Sequence, residues 1–68
     1  MNSQLLHMLW VAVSETPSHL LTRFDDKALS THLINSIENR VPLSREEQSA
    51  MGNYIATRTP LIRDLAFQ

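Results

Sequence analysis

The chain has 68 residues with six Lys and Arg against seven Asp and Glu, a net charge of −1, and no cysteine. That length holds one domain at most and excludes a large core, since such a chain buries only about 60% of its unfolded surface. The absence of cysteine excludes disulfides and thiolate chemistry and fits a reducing, cytoplasmic setting, while the charge balance gives no excess to hold a phosphate backbone or an anionic membrane. Hydrophobic residues are 43% of the chain, as in an ordinary globular domain, and the single glycine leaves no room for a flexible linker. Extra buried area for so small a core must come from close helix packing or from a partner chain.

Three prolines, Pro17, Pro42 and Pro60, cut the chain into four apolar blocks. Block one runs from Leu5 to Val13, interrupted only by His7, with Asn2 or Ser3 available as a cap. It is too short to span a bilayer, which takes about 20 residues, and it lacks the positive start of a signal peptide. Leu, Met and Ala favour a helix over a strand, and no second strand is at hand to pair. Leu6, Leu9, Trp10 and Val13 form one helical face, widened by Leu5, Met8 and Ala12 to nearly the full circumference.

Block two starts at Thr16-Pro17, read as N-cap and first helical position, with one or two turns through His19, Leu20, Leu21 and Phe24. Asp25-Asp26 caps a new helix expected from Lys27 to about Arg40. Leu29, Leu33 and Ile37 form its inner stripe, Ile34 lies at the edge, and Lys27, Thr31 and Glu38 lie on the far side. Arg40 in the last turn would suit the helix dipole. Val41-Pro42-Leu43 ends it, because the residue before proline avoids the α region.

Block three opens on Ser44-Arg45-Glu46-Glu47, a capping box. The expected helix reaches about Arg58 with Met51, Tyr54 and Ile55 inward. Gly52 costs it roughly 1 kcal/mol relative to alanine, either to admit a neighbouring helix or as an exposed residue. Block four, Pro60 to Phe67, has two readings. Thr59 caps a separate helix, or one long helix passes through Pro60 with a kink, keeping Met51, Tyr54, Leu61 and Leu65 near heptad register. The fold class is therefore all-α: a single domain over 1–68, built as a small bundle of three to five helices.

No residue pattern for catalysis emerges. His7, His19 and His32 show neither the i, i+4 nor the short-loop spacing of metal ligands, and no cofactor or metal is expected. G-x-S-x-G, a glycine-rich phosphate loop, H-E-x-x-H and the EF-hand pattern are all missing from the chain. Asp25-Asp26 reads as a cap rather than an acid/base pair, since adjacent helical residues point apart. The leading expectation is a non-enzymatic interaction or regulatory protein, a helical homodimer or a subunit of a larger complex, with an unidentified protein partner. Its interface candidates are Leu6, Met8, Trp10, Met51, Tyr54, Arg58, Leu61 and Leu65. Glu47 and Arg58 share a helix face with Met51 and Ile55, so two antiparallel copies of this helix would oppose them. The alternative is a DNA-binding helix-turn-helix from about 27–40 and 45–58, disfavoured by Glu46 and Glu47 at the start of its recognition helix.

Overall fold

A computed structural model describes residues 3–65. Four helices follow in chain order: α1 (Ser3–Glu15), α2 (Ser18–Arg23), α3 (Asp26–Glu38) and α4 (Arg45–Asp64). Among the described residues there is no strand, and the architecture is a small all-α bundle. Of the two expected caps for α1, Ser3 is its first residue and Asn2 lies outside the described residues.

The central element is α3, which packs against α1 on one side and α4 on the other, while α2 rests on α4. The Asp25 carboxylate starts α3 by accepting from the Ala28 N–H at 2.7 Å. Leu29, Leu33 and Ile37 then fall inward, at most 1% exposed, and Lys27, Thr31 and Glu38 face water as their spacing predicts. The helix ends at Glu38, two residues before the expected limit. Arg40 therefore lies beyond the last turn, where its guanidinium donates to both oxygens of Glu15, at 2.6 and 2.8 Å. That contact ties together the C-terminal ends of α1 and α3.

On α1 the buried face is Leu5, Leu9, Ala12 and Val13. This corrects the expected face: Leu6 and Trp10 are half-buried edge residues, because the main neighbour of this largely apolar helix, α3, covers only one side of it. Leu21 from α2 and Met51, Ile55 and Ile62 from α4 complete the core.

The two Thr-Pro pairs depart from the cap reading in the same way. The Thr16 hydroxyl turns back to donate to the Ala12 carbonyl at 2.7 Å, and the Thr59 hydroxyl donates to the Ile55 carbonyl at 2.9 Å. Both threonines are buried, so each hydroxyl takes the nearest carbonyl one turn behind it rather than reaching forward. After Thr16 the chain leaves the helix. Pro17 occupies the N-cap position of α2, and no side chain caps that helix.

After Thr59 the chain stays helical, and α4 runs through Pro60 for 20 residues, about 30 Å. A proline in a helix interior costs about 3 kcal/mol. Two contacts beyond it offset that cost. Ile62 is fully buried, worth about 2–3 kcal/mol for a side chain of its size, and Arg63 donates to the Leu21 carbonyl and to Asp26, both at 2.8 Å.

The start of α4 is as its sequence predicts. Ser44 Oγ accepts from the Glu47 N–H at 3.1 Å, and Glu47 Oε1 accepts from the Ser44 N–H at 2.9 Å. Gly52 faces α3 rather than open solvent. A Cβ built there would lie 3.9 Å from both Ile34 Cδ1 and Ser30 Oγ, ordinary contact distances, so α3 does not require glycine at this position.

Candidate interaction surface

The inward line of α4 is Met51, Ile55, Thr59 and Ile62. Leu61 and Leu65, placed by sequence on the same seam as Met51, are instead 50% and 38% exposed. Because α4 is unbroken, the spacing 54, 58, 61 and 65 holds these residues on a second line beside the core line. Tyr54 is half-buried on this line, Arg58 is exposed, and the two leucines follow. Glu47, seven residues before Tyr54, belongs to it by the same spacing.

The apolar end of this line meets α1. Leu65 and Trp10 line one groove of ≈ 260 Å³ together with buried Val13, Thr16 and Leu21 and exposed Ser14 and Ser18. Leu6 lies one turn before Trp10 on the same edge of α1, and Leu61 one turn before Leu65 on α4. Two exposed leucines and a half-buried tryptophan thus sit at one end of the bundle. Isolated exposed leucines are ordinary on a protein surface; a leucine pair beside a tryptophan is a contiguous apolar patch.

Two candidates fall elsewhere. Met51 is fully buried, so it holds α4 in the core and offers nothing to a partner. Met8 lies on the opposite edge of α1, in a groove with Glu15, Ile37 and Arg40, because a two-residue step on a helix turns a side chain about halfway round. The sequence grouped Met8 with Trp10 because the whole circumference of α1 is apolar.

The Arg58 guanidinium carbon lies 5.0 Å from the centre of the Tyr54 ring, a cation–π contact, and Nη1 is 3.5 Å from the Thr57 hydroxyl. Among the described residues, Arg58 has no carboxylate partner, whereas Arg40 and Arg63 are paired with Glu15 and Asp26.

The histidines do not converge. His7 and His19 are exposed on separate helices. His32 is half-buried, its ring centre 5.4 Å from that of Phe24 and its Nε2 3.4 Å from the Thr16 hydroxyl. Thr16 already gives its hydroxyl proton to Ala12, so this contact requires His32 Nε2–H as the donor. Among the described residues no group of three or more His, Asp or Glu is gathered where it would hold a metal ion, and no helix is long and apolar enough to cross a membrane. Comparison of the chain with protein-family models, with curated proteins and with solved structures finds no match.

Proposed function

We propose that this chain is a small, non-enzymatic interaction protein that self-associates through the face formed by Trp10, Tyr54, Leu61 and Leu65. The observation that carries the reading is the placement of Leu61 and Leu65, more than a third exposed on a long helix, beside half-buried Trp10. Such patches mark interaction sites on small proteins, and tryptophan and tyrosine are the residues that most often dominate binding energy. The core argument runs the same way, since a domain of this size gains from area buried against a second chain. In a larger assembly the same face would be offered to another protein.

The helix-turn-helix alternative has less support. The connection between α3 and α4 spans 39–44, longer than the usual three or four residues, and α4 opens on Glu46 and Glu47 where a recognition helix approaches phosphates.

Light scattering after gel filtration tests the reading. At roughly 50 µM, where ordinary transient dimers are populated, the protein should have twice the mass of one chain. Leu61→Lys combined with Leu65→Lys should return it to one chain with its helical content unchanged, because both side chains lie outside the core. A wild-type monomer at that concentration would rule out self-association.

A further inference from the structure

We propose that a second copy of this chain lies antiparallel along the outer line of α4, with Arg58 of each copy against Glu47 of the other. This rests on the self-association reading and adds the partner's orientation and register. The charges on the line decide the orientation. Glu47 stands near the start of α4 and Arg58 near its last turns, with Tyr54 between them and the leucines beyond. A parallel, in-register pair would set Glu47 against Glu47 and Arg58 against Arg58. An antiparallel pair sets unlike charges together twice, once at each end of the contact.

Both side chains can make the bond. Arg58 is exposed and parked on its own Tyr54 ring. Glu47 commits Oε1 to the Ser44 N–H, which leaves Oε2 for a donor across the interface and holds the carboxylate still.

The register follows from the pairing. Opposing residues in an antiparallel pair have a constant sum of positions, so 47 against 58 puts the two-fold axis between Gly52 and Asn53. Leu61 of one copy then lies opposite Ser44 of the other. Leu65 extends past the start of the second α4 towards the 39–44 connection, where Val41 and Leu43 are half-buried. Leu65 thereby comes near Val41 and Leu43 of the other copy, while Leu61 lies on its Ser44 cap.

Charge exchange and spin-label distances test the proposal together. Arg58→Glu alone and Glu47→Arg alone should each weaken the dimer about tenfold, and the double exchange should restore it. Glu47→Arg also removes half of the capping box. Glu47→Gln serves beside it, since glutamine keeps the capping acceptor while losing the charge, and it should weaken the dimer as well. The chain has no cysteine, so single labels can be placed at Asn53→Cys and Asp64→Cys, both exposed. At 1.5 Å per residue, the Asp64 labels should be about 35 Å apart or more. Asn53 labels, almost level with the axis, should be about 20 Å apart or less. Equal distances at the two positions, or a double exchange no better than the single changes, would refute the antiparallel register. If the wild type is a dimer that Leu61→Lys with Leu65→Lys dissolves, the self-association reading survives that failure. A wild-type monomer ends both.

Discussion

Replacing Gly52 with alanine should stabilise this protein, and the size of the effect follows from the α3–α4 contact. Glycine in a helix interior costs about 0.8–1.0 kcal/mol relative to alanine, through the extra freedom of the unfolded chain. That gain is realised only where the new methyl group fits. Here it would meet Ile34 Cδ1 and Ser30 Oγ at 3.9 Å, ordinary van der Waals separation with no displacement required. Contact with Ile34 adds a few tenths of a kcal/mol at this half-buried position. The total is about 1 kcal/mol. In a domain of this size that raises the melting temperature by roughly 4–8 °C. Thermal and urea unfolding followed by far-ultraviolet circular dichroism would measure it. Gly52→Val, which is bulkier and β-branched, should lose most of the gain. A lower melting temperature for Gly52→Ala would mean that α3 and α4 approach more closely than this packing allows, and the argument would fail.

Pro60→Ala should also stabilise the fold, by up to about 3 kcal/mol. It restores the missing N–H within α4 and removes a clash, with no packing lost because Pro60 is exposed. A destabilised Pro60→Ala protein by urea titration would show that α4 is not continuous through this position. Arg63→Ala should cost about 1–2 kcal/mol. It abandons the Leu21 carbonyl as well as Asp26, whereas Asp26→Asn should cost under about 0.5 kcal/mol because that carboxylate is largely in water. Equal losses for the two variants in urea unfolding would show that the ion pair to α3, and not the bond to the α2 carbonyl, carries the contribution of Arg63.

Local signals determined a good part of this structure. The capping box at Ser44 and Glu47, the Asp25 cap and the Leu29, Leu33, Ile37 stripe all act within one or two turns of chain, and each appears where its residues place it. The helical state of α1 is equally local, resting on Leu, Met and Ala. What sequence left open depends on distant residues. Whether Pro60 breaks or continues α4 turns on Ile62 filling the core and on Arg63 reaching Leu21, contacts across some forty residues that no helical wheel contains. The same long-range packing chose which apolar line of α4 is buried. Met51, Tyr54, Leu61 and Leu65 share a heptad pattern that suits a core seam or a surface seam equally well. Only the seating of α3 against Met51 and Ile55 leaves Leu61 and Leu65 outside beside Trp10. Sequence therefore determined the helices and most of their ends, because caps and propensities are short-range. Tertiary structure alone decided which faces remain exposed, because an apolar face becomes core or interface according to what is already packed against its neighbour.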